Sequence, residues 1–467
     1  MASSTVPASP EPRAEGALPT GFLGLDVSQQ EVVACFLLPD GREVVPRWRM
    51  ANTQPGAQLL AERLLALAQQ HGVGRVRIGM EATNLYWWHL ACFLEETAVL
   101  APLVREVYAL NPKLVHGLKG AYPNRGKTDH LDAFYIAERL RLGRLPAPFQ
   151  LDVLYAPLQR LTRFRTHLAQ TLAREKNYLL SVLFLQFSGF CQTDAFSDHF
   201  GVTSCALLEE FTTEEVAQTP VGELARFLDE RSRGTFAHPE ALAATLQQVA
   251  RDSYRPNRVL DAPLRVILAL AMTTMRTLQK QLAELDKTIA RELAALPPFR
   301  RTIGTVPGLG PVWTAGLLAE IGAITRFDND AALARFAGLV WNPTQSGEFQ
   351  AEETRLAKSG NTYLRYYLVE GANSVRLHCP EYQAYYAAKL AQSAKHAHKR
   401  ALVLTARKLV RLVDHLLRAG AVYQPPAQRQ DRKEGQTPPR AARPRPARRH
   451  RLATSASAPE VVPTRPR

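Results

Sequence analysis

The sequence predicts an α/β amino-terminal domain followed by a mainly helical remainder, and three observations predict it. Residues 21–50 form three apolar, β-rich runs separated by Ser28-Gln29-Gln30 and Pro39-Asp40-Gly41, the pattern of an antiparallel meander. Helical and strand patterns then alternate up to residue 144. Beyond residue 150 the clearly periodic segments are helical, ending in a coiled-coil repeat and a basic amphipathic helix.

Taken in order, the first run (GFLGLDVS) carries Asp26 between Leu25 and Val27. Asp is disfavoured inside a strand, so Asp26 needs a partner or a metal. A helix is expected at about Gly56–His71, then a short apolar strand from Val73 to Met80 that ends in Glu81. A carboxylate at the carboxyl end of a buried strand sits where α/β sheets place their sites. Leu85–Leu94 reads as a helix and Val104–Leu110 as a fifth strand. A basic, glycine-containing loop follows and ends at Lys127, a candidate phosphate contact. Thr128 or Asp129 then caps a helix with Leu131, Phe134, Ile136 and Leu140 on its apolar side. Asp129 and Asp132 are three residues apart and share one helix face, where two like charges repel. Alone they read as a cap and a solvated side chain; a divalent cation with hard oxygen ligands would offset the repulsion. Three antiparallel strands, helix, strand, helix, strand, helix is the order of the ribonuclease H fold. Its acidic positions match Asp26, Glu81, Asp129 and Asp132, which favours two-metal phosphodiester chemistry.

Leu151–Gln186 is a long helical pattern with Leu158, Leu161, Leu168, Leu172 and Leu179 on one side. Its Arg160, Arg163, Arg165, Arg174 and Lys176 fit a phosphate grip or a solvated face equally well. Residues 187–257 read as an insertion or small subdomain of short helical pieces, with no site visible. From Leu264 to Leu293, Leu268, Ala271, Met275, Leu278, Leu282, Leu285 and Ile289 keep a three-four spacing. That is a coiled-coil seam, serving either a hairpin with the preceding long helix or a contact between protomers. Farther on, Gly308-Leu309-Gly310 between helical segments suggests a helix-hairpin-helix, whose small residues let backbone amides approach a DNA phosphate; a tight structural turn explains the same glycines. Ser346, in Asn342-Pro343-Thr344-Gln345-Ser346-Gly347, reads out of context as a turn serine with no His–Asp relay around it. The last helix, His398–Arg418, has Leu402, Leu404, Leu409 and Leu412 as its core side.

Composition agrees with a nucleic-acid partner. Over 467 residues the net charge is +15 and the isoelectric point about 9.8. Residues 424–467 hold 11 Lys/Arg against 3 Asp/Glu, so a solvated tail carries +8 of that charge. The five cysteines lack any CxxC spacing, which excludes a zinc ribbon or disulfide frame and suggests reduced thiols in a cytosolic protein. No apolar run reaches membrane-spanning length, and the Pro-, Ala- and Ser-rich first 20 residues have no apolar signal core. The expected division is a disordered arm (1–20), a catalytic α/β domain (21–148), a helical coiled-coil region (149–295, insertion at about 187–257), a mainly α carboxyl-terminal domain (296–422) and a disordered basic tail (423–467).

GLDVS, the MEAT run and the NP…KTDHLDA block resemble the RuvC-like domain of the DEDD-type transposases of the insertion sequence one-ten family. TVPGLGPVWTAGLLAEIG, FAGLVWNPTQSGEF, KSGNTYLRYYLVEGAN and KHAHKRALVLTARKLVRLV resemble, in the same order, that family's carboxyl-terminal transposase domain. The resemblance covers roughly residues 20–145 and 260–420. It implies Mg2+, as two ions, on Asp26, Glu81, Asp129 and Asp132, and Ser346 as the nucleophile that attacks DNA. Ser359 is a local competitor, but it occupies the turn before the N-x-x-L-R helix. Arg355, Lys358 and Arg365 would steady phosphates or the leaving oxygen. The resemblance further implies donor and target DNA, a structured guide RNA encoded by the element, a composite site in a homodimer or homotetramer, and a prokaryotic, nucleoid-associated protein. Asn84 stands where the family commonly has glycine. Two readings from other classes remain: a metal-dependent nuclease or junction resolvase that uses water, and a non-enzymatic nucleic-acid-binding descendant.

Overall fold

The computed structural model describes residues 18–45, 48–119, 128–255, 257–298, 301–342, 345–346, 349–350, 355–357, 359–393 and 395–425. Lys127, Lys358, most of the amino-terminal arm and nearly all of the basic tail lie outside the described residues.

The amino-terminal third is a five-stranded sheet in the order β3-β2-β1-β4-β5. Its strands are β1 (Thr20–Val27), β2 (Glu31–Leu37), β3 (Trp48–Ala51), β4 (Arg75–Glu81) and β5 (Val104–Leu110). β1, β2 and β3 pair antiparallel, whereas β4 runs parallel to both β1 and β5. This mixed sheet is compatible with a ribonuclease H-like domain. Side-chain alternation splits the core in two. Leu23, Leu25, Ile78 and Met80 face a cluster built with α1 (Gln54–Gln70) and α2 (Trp88–Glu96). Phe22, Cys35, Leu37 and Leu110 face α4 (Asp129–Leu142) on the other side.

On that second face the sheet is pared down to glycine. A Cβ on Gly24 would lie 2.1 Å from Ala133 O and 2.4 Å from Ala137 N, and one on Gly79 would lie 3.0 Å from Leu140. The buried stripe of α4 is accordingly Ala133, Ile136, Ala137 and Leu140, so small residues replace two of the larger apolar ones expected. Leu131 and Phe134 are only partly buried.

Two boundaries differ from expectation. Helix α2 starts at Trp88 rather than Leu85, because Asn84 takes a left-handed φ of 52° and residues 84–87 turn first. The basic loop also contains a helix, α3 (Pro112–Lys119). Proline suits a first helical position, and the Asn111 side chain accepts from the amide of Lys113 at 3.0 Å.

The helical remainder begins with α5 (Ala156–Gln186), which lies along α10 (Asp261–Ala295) within the same chain. The coiled-coil seam is therefore an intramolecular hairpin, with Leu268, Ala271, Met275, Leu278 and Ile289 buried. Between the two long helices, α6 (Val202–Glu210), α7 (Thr213–Gln218), α8 (Val221–Ser232) and α9 (Pro239–Asp252) share one apolar cluster with the ends of α5 and α10. The short helical pieces read from the sequence thus form a small helical unit capping the hairpin. The carboxyl-terminal core joins α11 (Pro311–Ile321), α12 (Asp330–Ala337), α13 (Thr362–His378), α14 (Pro380–Ala391) and α15 (Ala397–Ala419). In α15 the fully buried positions include Ala401, Thr405, Ala406, Leu409 and Val410, while Leu404 and Leu412 are half-buried.

Three arginines of α5 serve the interior of the protein. Arg160 lies 3.9 Å from the Trp88 ring centroid. Arg163 makes a two-pronged pair with buried Glu320 at 2.7 and 2.9 Å, and Arg165 does the same with Asp286. Neither a phosphate grip nor a solvated face describes them.

Urea unfolding of three variants checks this packing. Gly24→Val should cost about 3 kcal/mol or more in urea unfolding, because the backbone of α4 cannot yield. Gly117→Ala, where an added Cβ meets nothing within 4 Å inside α3, should instead stabilise by about 0.5–1 kcal/mol. Glu320→Ala removes the buried acceptor shared by Arg163 and Asn361 and should cost about 3 kcal/mol in the same measurement.

Candidate functional site

The register of the sheet sets the first two carboxylates side by side. Leu25 pairs with Met80 across the parallel β1–β4 ladder, so Asp26 and Glu81 are the next positions at the carboxyl ends of neighbouring strands. Leu25 and Met80 face the α1–α2 side, so Asp26 and Glu81 face α4. Each acid follows its glycine by two residues, in Gly24-Leu25-Asp26 and Gly79-Met80-Glu81. The glycines that admit α4 thereby lie beneath the acids that meet its first turn.

That first turn carries Asp129 and Asp132. Thr128 is the N-cap, its hydroxyl accepting from the amide of Leu131 at 3.3 Å. Asp132 is largely buried, whereas the Asp129 side chain is 62% exposed. Burial first, and then the charges of Asp132, Asp129 and Glu81, push the Asp26 carboxyl up to about 6. Glu81 is also raised, by burial and Asp132 against the opposing charges of Lys119 and His116.

Two cations that the sequence reading did not single out pair with the aspartates of α4. Lys119, the last residue of α3, places Nζ 2.7 Å from Asp132 Oδ1. Burial lowers its affinity for a proton, but the bond to Asp132 and the charges of Asp132, Glu81 and Asp26 outweigh this and raise it. Arg49 holds Glu31 at 2.9 Å and reaches Asp129 at 3.9 Å. A possible signal for Lys119 is Asn111-Pro112, which starts a helix whose final residue points back to the acids.

The donor set fits a hard divalent cation, since all four groups are carboxylates and their mutual repulsion already raises Asp26. As they stand, no three His, Cys, Asp or Glu side chains among the described residues converge closely enough to hold an ion.

The carboxyl-terminal candidates are carried by other elements. Ser346 is in a two-residue strand, β7 (Gln345–Ser346), opposite Phe349 of β8 (Phe349–Gln350). Arg355 begins β9 (Arg355–Leu356), which pairs with β6 (Trp341–Asn342). Neither hairpin belongs to the sheet that carries the acids. The root of this stretch is pinned. Gly338 (φ 71°) and Gly360 (φ 122°) approach so closely that a Cβ would meet Ser359 O at 2.4 Å and Phe336 O at 2.3 Å respectively. Asn361 caps α13 and also donates to Glu320 at 2.7 Å, which links the root to Arg163 of α5. Arg365 donates to Ala337 O at 3.4 Å, at the end of α12. Gly308 (φ 93°) is pressed against α13, where a Cβ would lie 2.8 Å from Val375 Cα, so packing alone requires a glycine there. Gly310 is the N-cap of α11, and a Cβ there would meet nothing within 4 Å.

Comparison with known proteins bears on these two regions. A model of DEDD transposases of IS110 elements, described as a transposase, matches residues 23–187. A second, described as "Transposase IS116/IS110/IS902 family", matches residues 300–387, and the two together span more than half of the chain. The chain is an IS110-family transposase. An insertion element IS900 protein of 42 kDa from Mycobacterium paratuberculosis is 27% identical to the transposase over 413 residues, 84% of this chain and 94% of the relative. An IS116 protein of 44.8 kDa from Streptomyces clavuligerus is 27% identical over 339 residues, 70% and 81% of the two chains. An IS110 protein of 43.6 kDa from Streptomyces coelicolor is 24% identical over 416 residues, 86% and 95%. As a transposase the enzyme cleaves and transfers DNA strands. No helix among the described residues of the transposase is long and apolar enough to cross a membrane.

The raised Asp26 carboxyl gives a pH prediction. A folded-state value near 6, above the ordinary 3.8, means that stabilisation from its proton is complete below about pH 4 and lost as pH rises through 6. In EDTA, Asp26→Asn should therefore melt higher than wild type at pH 7.5 and match it at pH 4. Scanning calorimetry of both proteins at the two pH values checks this.

Proposed function

We propose that this transposase recombines DNA through a serine–phosphodiester link, with Asp26, Glu81, Asp129 and Asp132 as a two-Mg2+ site and Ser346 as the nucleophile. The observation that carries the reading is the meeting of two strand-end acids with the first turn of α4, in a segment matched by a DEDD transposase model. Bound Mg2+ would supply Lewis-acid stabilisation of charge on the phosphoryl oxygens. The protein's own part is to hold two carboxylates at the ends of neighbouring strands and two on the first turn of α4, and to present Ser346 on a hairpin with a pinned root. Ser346 Oγ bonds to phosphorus as the bond to the 3′-oxygen breaks. The hydroxyl proton leaves the serine, and the departing oxygen is protonated. The phosphodiester energy is retained, so strands are resealed without ATP.

Residues 21–148 and 296–422 are the two working parts in this scheme, joined by the helical region 149–295. Asp26 and Glu81 belong to one sheet and Ser346 to another, which suits a composite site in a homodimer or homotetramer. Lys127, Gly310, Arg355, Lys358 and Arg365 are proposed nucleic-acid contacts. Gly308, also a candidate contact by sequence, is accounted for by its packing against α13. A structured RNA from the element would pair with donor and target DNA, leaving the protein to read backbone and shape.

The absence of Ser346 from the sheet that carries Asp26 and Glu81 also suits a water-using nuclease. An excision assay in cells, with PCR across the joined ends of an element in its native flanks, distinguishes them. Ser346→Ala and Asp129→Ala should each reduce circular product at least about a thousandfold. Circles that persist in Ser346→Ala alone would assign the attack to water.

A further inference from the structure

We propose that Lys119 is an exchangeable counter-ion of the carboxylate site: it holds Asp132 in the metal-free, DNA-free protein and passes to a DNA backbone phosphate as Mg2+ binds. This rests on the metal-site reading above.

The geometry is specific to this lysine. Its Nζ is 2.7 Å from Asp132 Oδ1, at the largely buried member of the α4 pair, and its ammonium is also 6.0 Å from the Tyr135 ring centroid. The charges of Glu81 and Asp26 act on it as well, so one ammonium serves acids from β1, β4 and α4 together. Such a side chain stands where a divalent ion would draw its ligands. Two cations on the same carboxylates repel strongly at contact distance. As Mg2+ enters, Lys119 must withdraw, and a flexible four-carbon stem allows this without moving α3.

A phosphate brought to the acids offers the displaced ammonium a new partner. DNA binding then frees Asp132 for the ion, and by linkage the ion favours DNA by the same factor. Loading would thus be weak without DNA and tight with it.

Calorimetric titration of the full chain with MgCl2 tests the proposal, with and without a synthetic DNA duplex. Lys119→Gln keeps a hydrogen-bond donor for Asp132 but removes the charge, and Lys119→Met removes both. Each should bind Mg2+ about tenfold tighter than wild type in the absence of DNA. The duplex should tighten Mg2+ binding in wild type and much less in either variant. Lys113→Gln, an exposed lysine on the same helix, should behave as wild type. Circular dichroism verifies that each variant is folded, and either one suffices for the test. Unchanged or weaker Mg2+ binding in a folded Lys119 variant overturns the proposal. Asp132→Asn separates the two levels of the argument. If it abolishes Mg2+ binding while the lysine variants match wild type, only the counter-ion role fails. If it leaves Mg2+ binding intact, the metal-site reading fails and the role of Lys119 fails with it.

Discussion

Close contact between α4 and the sheet is the constraint on which the candidate site depends. A helix carrying bulky residues toward a sheet stands about 10 Å away from it, roughly the spacing of packed layers. Here Gly24 meets the α4 backbone directly and Gly79 meets Leu140, so the helix sinks toward β1 and β4. Its first turn then lies against the strand ends where Asp26 and Glu81 emerge. Without those glycines the four acids would still be present in the chain, but α4 would ride higher and its aspartates would be lifted away. The alanines of the buried stripe are the matching half of this fit.

The second organising element is the start of α5. Within two turns it stacks Arg160 on Trp88 of the amino-terminal domain, pairs Arg163 with Glu320 of α11 and pairs Arg165 with Asp286 of α10. Glu320 passes this on to Asn361, and Asn361 caps α13 beside the root of the hairpin that carries Ser346. One helix therefore touches the sheet domain, the long hairpin and the carboxyl-terminal core. Buried Tyr367 completes the joint, donating to Thr162 O at 2.7 Å while Gly316 makes room for its ring.

Much of the sheet was legible because strands and turns announce themselves locally. The runs around Asp26 and Glu81, the fifth strand at Val104–Leu110 and the Thr128 cap all have short-range signals. The acids could be nominated because each is out of place where it stands, Asp26 within a strand and Asp129 beside Asp132 on one helix face. What could not be read depends on partners distant in the chain. The α5 arginines look like any basic stripe until Trp88, Glu320 and Asp286 are placed beside them. Lys119 looks like one more charge in a basic loop until α3 aims it at Asp132. Gly308 is ambiguous by itself, and only the backbone of α13 against it accounts for the missing side chain. Ser346 is the opposite case: its nomination came from a family likeness, and the local chain offers no relay that would have singled it out.

The burial of the α5 arginines has a consequence for how the protein should respond to ionic strength. Exposed lysines and arginines that hold nucleic acid lose their grip as salt rises, because the counter-ions released on binding regain their hold. A guanidinium stacked on Trp88, or forked onto a Glu320 side chain that is 0% exposed, is largely sheltered from that screening. Washing with concentrated salt should strip bound DNA from this basic chain while its internal joint stays closed. The molecule can therefore release its substrates without loosening the arrangement that positions its two working parts.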